Sequence, residues 1–231
     1  MKNRLARRIL VLVFAGCISF LFSDAQKLAK GWKPLFNGVS LKGWKTYQGK
    51  PADSWLVKDG TLYNKGNKDP KTLHADLITE KQFGDFEVAF DWKIAPGANS
   101  GFLYMVTEEF AASYHSGPEY QLIDDKGYPA KLEEWQKTGA NYAMEPPMVD
   151  ATKPAGEWNH TVIKKSKGHI EHWLNGKKVV AYDLWSEKWK EQKAAGKWKD
   201  TPGYGMSERG HFAIQDHGGE VWIRNMVVKE P

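Results

Sequence analysis

Residues 85–94, Asp-Phe-Glu-Val-Ala-Phe-Asp-Trp-Lys-Ile, alternate without a break. Phe86, Val88, Phe90, Trp92 and Ile94 point one way; Asp85, Glu87, Ala89, Asp91 and Lys93 point the other. A period of two belongs to a strand with one buried face. Similar runs at 55–58, 61–64, 101–107, 119–123, 158–165, 169–174, 178–183, 210–217 and 221–229 predict further strands. Asp59-Gly60 and Asn175-Gly176 supply the positive φ angles of tight type I′ hairpin turns. The run at 101–107 is apolar on both faces and predicts an interior strand. One helix is expected, over 186–195, with Ser186 as its cap and Trp185 and Trp189 as one apolar stripe. Many short strands, Gly-rich turns and a single short helix in a late loop predict an all-β, jelly-roll sandwich.

The first 25 residues read as a leader. Lys2, Arg4, Arg7 and Arg8 precede an apolar stretch over 9–22, and Ser23-Asp24-Ala25 offers small residues for cleavage before Gln26. The stretch is short for a membrane span. Lipidation at Cys17 is the less favoured alternative, because an apolar run follows that residue directly. Export to a bacterial periplasm or beyond is therefore expected, as one domain over 26–231 with no membrane span. Removing the leader takes four Lys/Arg and one Asp from a chain of net charge +5, leaving about +2. That near-neutral balance gives no argument for nucleic acid as a partner. Cys17 is the only cysteine, so no disulfide framework is expected. Eleven Trp, nine Tyr and ten Phe suit a sandwich core, and equally suit stacking against sugar rings.

Two strands carry the candidate chemistry. Along 119–123, Glu119, Gln121 and Ile123 share one face, with Tyr120 and Leu122 on the other. Along 210–217, His211, Ala213, Gln215 and His217 share a face opposite Phe212 and Ile214. If both polar rows line one sheet face, Glu119, Gln121, Gln215 and His217 form a cleft floor. Asn99 can add an amide at its rim. Residues 126–156, predicted as a long loop, carry Tyr128, Trp135 and Tyr142, and a loop of that length is more often functional than idle. His169 and His172 are expected at the surface. Ordinary glycosidases flank the scissile bond with two carboxylates, about 5 to 9.5 Å apart, whereas the 119–123 strand supplies one. Glu108 or Glu145 would have to provide a second from a loop. His211 and His217 are too far apart along a strand, about 20 Å, to share a metal ion. No metal motif, P-loop, GxSxG or cysteine nucleophile is present in residues 26–231. These residues single out no cofactor, and a divalent metal is admissible.

Eight motifs, in order, resemble one family. They are Leu-Phe-Asn-Gly-Val-Ser-Leu-Lys-Gly-Trp at 35–44, Asp-Phe-Glu at 85–87, Asn-Ser-Gly-Phe at 99–102, Gly-Pro-Glu-Tyr-Gln at 117–121, Thr-Gly-Ala-Asn-Tyr at 138–142, Lys-Pro-Ala-Gly-Glu-Trp-Asn at 153–159, Leu-Asn-Gly at 174–176, and Ile-Gln-Asp-His-Gly at 214–218 followed by Val-Trp-Ile-Arg-Asn at 221–225. The chain is similar over about 32–229 to the 3-keto-disaccharide hydrolase domain family, once a domain of unknown function. The resemblance implies a concanavalin A-like lectin/glucanase sandwich, export by bacteria, and glycosides already oxidised at C3 as substrates. A ketone at C3 makes the C2 proton acidic, so a base can remove it and the C1 aglycone can leave by β-elimination, with water adding afterwards. That route needs a base, a stabiliser for the enolate oxygen and an acid for the leaving oxygen. His217 or Glu119 is the expected base. Gln121, Gln215, Asn99, Tyr104, Tyr142, Arg224, His115 and His211 are expected to hold the substrate, Arg224 alternatively as a strut beneath the cleft. Two other functions fit a sandwich of this kind: a non-catalytic carbohydrate-binding module, or a conventional two-carboxylate glycoside hydrolase.

Overall fold

The computed structural model describes residues 28–231; the expected leader over 1–25, including Cys17, lies outside the described residues. The strands in chain order are β1 (Trp32–Pro34), β2 (Trp44–Thr46), β3 (Trp55–Lys58), β4 (Thr61–Lys65), β5 (Leu77–Thr79), β6 (Phe86–Ile94), β7 (Asn99–Val106), β8 (Glu119–Ile123), β9 (Asn159–Ser166), β10 (His169–Leu174), β11 (Lys177–Asp183), β12 (His211–Ile214) and β13 (Glu220–Lys229). The one α-helix, α1, spans Glu187–Ala195. One sheet runs β11-β10-β9-β6-β13-β4-β3, with β1 also paired to β13; the other runs β2-β5-β12-β7-β8. All pairings are antiparallel. This is the expected all-β jelly-roll sandwich, with its short helix in a late loop.

The hairpins form as their turns require. Asp59 and Gly60 both have positive φ (50° and 72°), as do Asn175 and Gly176 (50° and 81°). On β6 the apolar face of Phe86, Val88, Phe90, Trp92 and Ile94 is wholly buried. β7 lies between β12 and β8 and is buried along nearly all its length, as an interior strand must be. Phe90 on one sheet stacks on Phe102 of the other, with centroids 4.6 Å apart, and Phe102 meets Phe212 at 5.4 Å. Ser186 caps α1 by accepting from the Trp189 N–H. Trp185 sits just outside the helix with φ +65° and donates its indole N–H to the Gly205 carbonyl, so the expected Trp185–Trp189 stripe does not form along one helix face.

Two buried polar links cross between the sheets. Trp92 donates to Thr161 Oγ1 (2.9 Å), which in turn donates to the Tyr120 hydroxyl (3.0 Å). His172, expected at the surface, is fully buried. Its Nδ1 lies 2.9 Å from the Gly139 carbonyl, which can only accept, so Nδ1 carries the proton and Nε2 accepts from the Tyr104 hydroxyl at 2.9 Å. Tyr182 completes the chain by hydrogen bonding to Tyr104 (2.6 Å). Burial lowers the His172 pKa to about 4, so the ring is neutral in the folded state above that pH. The unfolded chain takes up this proton near pH 6.5, so the stability conferred here is lost as pH falls from 6.5 toward 4. Replacing the ring should remove that dependence. The stability gap between wild type and His172→Phe is expected to narrow by about 3 kcal/mol between pH 7 and pH 4, as measured by urea unfolding at each pH.

Candidate active site

In β8 the alternation sends Tyr120 and Leu122 into the core between the sheets, and turns Glu119 and Gln121 to the outer face of the smaller sheet. Asn99 and Gly101 on β7 present the same face, with Gly101 directly opposite Gln121. Gln215 follows the end of β12 and is held by its own backbone: its N–H donates to the Gly101 carbonyl (2.9 Å), and its carbonyl accepts from Ser100 Oγ (2.8 Å). These residues floor a cleft of about 300 Å³. His217 stands at its rim. Tyr114, Tyr142, Lys197 and Trp198 complete the walls.

The walls are packed units. Trp198 stacks on Tyr204 at 4.2 Å and donates to the Tyr142 carbonyl (3.3 Å); the Tyr204 hydroxyl donates to Asn141. Asn141 bridges both to Tyr120 on β8 and to Glu145. The segment around residues 138–145, expected as featureless loop, thus continues the sheet edge and carries Tyr142 into place. Lys197 lies over the Tyr142 ring at 4.3 Å. On the opposite side Asp76 ties down two loops. It accepts from Ser113, whose neighbour is Tyr114, and from the Asp216 N–H between Gln215 and His217.

Glu119 is 5 % exposed. Burial raises its pKa to about 8, with a further push from the negative charge of Asp76 and a smaller opposing pull from Lys197. A carboxyl group buried in an open cleft and titrating near neutrality has the properties of an acid–base catalyst. Its position depends on Gly101. A Cβ there would lie 2.0 Å from Glu119 Oε1 and 2.7 Å from Cδ, so only glycine leaves room for the carboxyl. The side-chain oxygens of Asn99 and Gln121 are buried with no hydrogen-bond partner among the described residues, and can accept from a ligand.

Six expected site residues therefore meet in one cleft: Glu119, Gln121, Asn99, Tyr142, Gln215 and His217. Four do not. His211 is on β12 but fixed away from the cleft, with Nδ1 2.6 Å from the Thr79 carbonyl and Nε2 3.2 Å from Gln82. The extra residue of the register shift opposite His211 and Ala213 lies on β7, where Met105 has φ +61°, so His211 keeps its place in the β12 alternation. It misses the cleft because it lies four residues before Gln215, about 13 Å along the strand. β12 also ends at Ile214, so His217 reaches the rim from a loop. Tyr104 is buried in the inter-sheet network with His172 and Tyr182. Arg224 lies on β13 of the larger sheet, its guanidinium 3.9 Å from the Trp158 ring centre and 3.7 Å from Asp91, so it is not a strut under the cleft. His115 packs edge-on against Tyr114 and is not among the cleft-lining residues. Neither suggested loop carboxylate supplies a second acid: Glu108 pairs with Lys45, and Glu145 accepts from Asn141. Glu119 is the sole carboxylate among the cleft-lining residues. Among the described residues, no cluster of three or more His, Cys, Asp or Glu side chains is arranged to hold a metal ion, and no helix is long and apolar enough to cross a membrane.

Fold and site together define a jelly-roll sandwich with a polar, single-carboxylate cleft on the outer face of its smaller sheet. The chain belongs to the 3-keto-alpha-glucoside-1,2-lyase-like domain family, which it matches over residues 31–229. It is 30% identical over 228 residues to a protein of Bacteroides thetaiotaomicron named 3-keto-disaccharide hydrolase, covering 87% of this chain and 79% of that one. It is also similar to the crystal structure of a candidate glycosyl hydrolase from Parabacteroides distasonis, at 41% identity and a TM-score of 0.81, covering 87% of this chain and 94% of that one. A carbohydrate-binding module from Bacillus subtilis shares the fold alone, with 8% identity and a TM-score of 0.52 over 81% of this chain and 96% of that one.

Proposed function

We propose that this protein is a glycoside-cleaving enzyme acting on sugars already oxidised to a ketone at C3, by proton abstraction at C2, β-elimination of the C1 substituent and hydration. The supporting observation is the composition of the cleft. One buried carboxyl, amides, a lysine and an imidazole line it, and no second carboxylate does. Direct glycoside cleavage calls for two carboxylates. Proton removal beside a ketone calls for one base and a cation near the oxygen that becomes negative.

Glu119 is the base. Its raised pKa makes it a stronger base than an ordinary carboxylate once ionised, and the C2 proton passes to it as the C3 oxygen gains charge. Lys197 is close enough to pull the Glu119 pKa down, and serves as the cation for that enolate oxygen. The free acceptors of Asn99 and Gln121 orient hydroxyl groups. Export to the periplasm or beyond, with the first 25 residues removed, completes the proposal and is checked by N-terminal sequencing of the exported protein.

Two measurements test this reading. The purified protein should release aglycone from 3-keto-glucosides and leave the parent glucosides intact. Turnover of the parents at equal rate would favour a conventional glycosidase, and binding without turnover a carbohydrate-binding module. Lys197→Met should lower kcat about 10²-fold with a smaller change in KM. An unchanged kcat would remove Lys197 from the charge-stabilising role.

A further inference from the structure

The cleft does not end at His217. On the far side of Asn99 and His217 lies a second depression of about 310 Å³, close in size to the 300 Å³ of the first. Asn99 and His217 line both, so they form the partition between them. The second depression is walled by Tyr128 and Pro129 and by the backbone of Gly218 and Gly219.

Its walls are held rigidly. Asp124 accepts from the Gly97 N–H (2.9 Å) and the Lys126 N–H (3.2 Å), and its carbonyl accepts from the Tyr128 N–H (3.0 Å). These bonds close a tight turn that sets Tyr128 and Pro129 at the rim. Across from them, Gly218 has φ +78°, and its carbonyl accepts from the Asn67 N–H (3.0 Å). A Cβ on Gly219 would lie 2.6 Å from that of Ala98. Glycine at both positions lets the loop after β12 lie flat against the start of β7, leaving the depression beside it open.

We propose that this second depression is the leaving-group subsite, shaped for the other sugar ring of a disaccharide, with His217 standing over the glycosidic oxygen that joins the two rings. The proposal rests on the reading of Glu119 as base in the first depression. Tyr128 and Pro129 offer an apolar wall to a ring face, and the depression adjoins the first across Asn99 and His217, as a second ring adjoins the first. The partition then marks the bond that breaks. In the forward step Glu119 takes the C2 proton and the C2–H electron pair enters the enolate. Its collapse restores the C3 ketone, forms the C1–C2 double bond and expels the C1–O pair onto the leaving oxygen, which takes a proton from His217. In the hydration step water gives its hydroxyl to C1 and its proton to His217, and Glu119 returns a proton to C2. Both groups end as they began, and the net change is hydrolysis.

Kinetics on three probes test this: the 3-keto derivative of trehalose, methyl 3-keto-α-glucoside, and p-nitrophenyl 3-keto-α-glucoside. Tyr128→Ala should lower the ratio of kcat/KM for the disaccharide over the methyl glycoside about tenfold, mainly through KM. Ala130→Trp, which puts bulk beside the depression without altering the first one, should lower the same ratio. His217→Ala should cost the disaccharide about 10²-fold more than the p-nitrophenyl glycoside, because p-nitrophenolate leaves without a proton. An equal effect on all three probes, or none, would overturn the subsite while leaving the Glu119 chemistry standing. No turnover of any probe by the wild-type protein would overturn both.

Discussion

Glu119→Gln should abolish most activity and at the same time make the protein more stable. The loss is expected at about 10²–10⁴-fold in kcat/KM, the range for removing a general base. The gain follows from burial. The pKa of Glu119 is raised to about 8 in the folded state, against 4.5 for an unperturbed side chain. Between those values the folded protein holds a proton that the unfolded chain has released, so stability falls as pH rises through the window. A glutamine has the same shape and no proton to hold. The variant should therefore be more stable by on the order of 3 kcal/mol at pH 7, more at pH 8, and by little at pH 4. Urea unfolding at three pH values checks this. With p-nitrophenyl 3-keto-α-glucoside, whose leaving group needs no proton from His217, the wild-type rate carries the same signature: a base must be ionised, so kcat/KM should climb with pH and level off above about pH 8. A variant that loses stability at pH 7, or a rate that falls as pH rises from 6 to 8, would show that Glu119 is not a buried base.

Gly101→Ala should inactivate the enzyme without removing any chemical group. Gly101 has no positive φ, so its backbone accepts alanine. The obstacle is space, since the new Cβ would lie within 3 Å of Glu119 Oε1, Cδ and Cγ together. Contacts that short force the carboxyl to move, and a displacement of about 1 Å at a catalytic group can cost about 10²-fold in rate. The expected variant folds, keeps its far-ultraviolet circular dichroism spectrum and loses about 10²-fold in kcat. Activity within twofold of wild type would mean that the carboxyl position is not critical.

The parts of the site legible in the sequence are those where strand parity holds. β8 is regular, so Glu119 and Gln121 could be set on one face and Tyr120 on the other from alternation alone. Parity fails wherever a bulge intervenes, and a bulge leaves little trace in a sequence. On β13 a register shift after Arg224, with Asn225 at φ +52°, breaks the common face that alternation alone would give Arg224 and Met226: Met226 is fully buried, Arg224 partly exposed. Parity also says nothing of how far along a strand a cleft extends: His211 lies four residues before Gln215, about 13 Å away, and is tied to Thr79 and Gln82. Tyr104 illustrates a different gap. On an interior strand both faces are buried, and alternation cannot say which one meets a ligand. Lys197 and Trp198 were missed because Lys-Trp-Lys after a lysine-rich helix reads as a solvated end. Only the stacking of Trp198 on Tyr204 brings that end to the cleft. Three short strands, β1, β2 and β5, have only three residues each and show no usable period.

The second depression points to a division of labour along the cleft, with the carboxyl beneath one sugar ring and the imidazole at the joint. That arrangement can act only if the bond at C1 breaks after the proton at C2 has left. Isotope incorporation reads this directly. The wild-type protein is incubated in D₂O with methyl 3-keto-α-glucoside, and the released 3-keto sugar is examined by mass spectrometry and proton NMR at early times, beside an enzyme-free control of the same product. Proton abstraction at C2, with Glu119 exchanging its proton with solvent as the aglycone departs, predicts one deuterium at C2, acquired at the rate of product release and absent with Glu119→Gln, and a slower release from substrate deuterated at C2. Release of a product that keeps its original C2 hydrogen, at the same rate whether the substrate carries hydrogen or deuterium at C2, would contradict the elimination route.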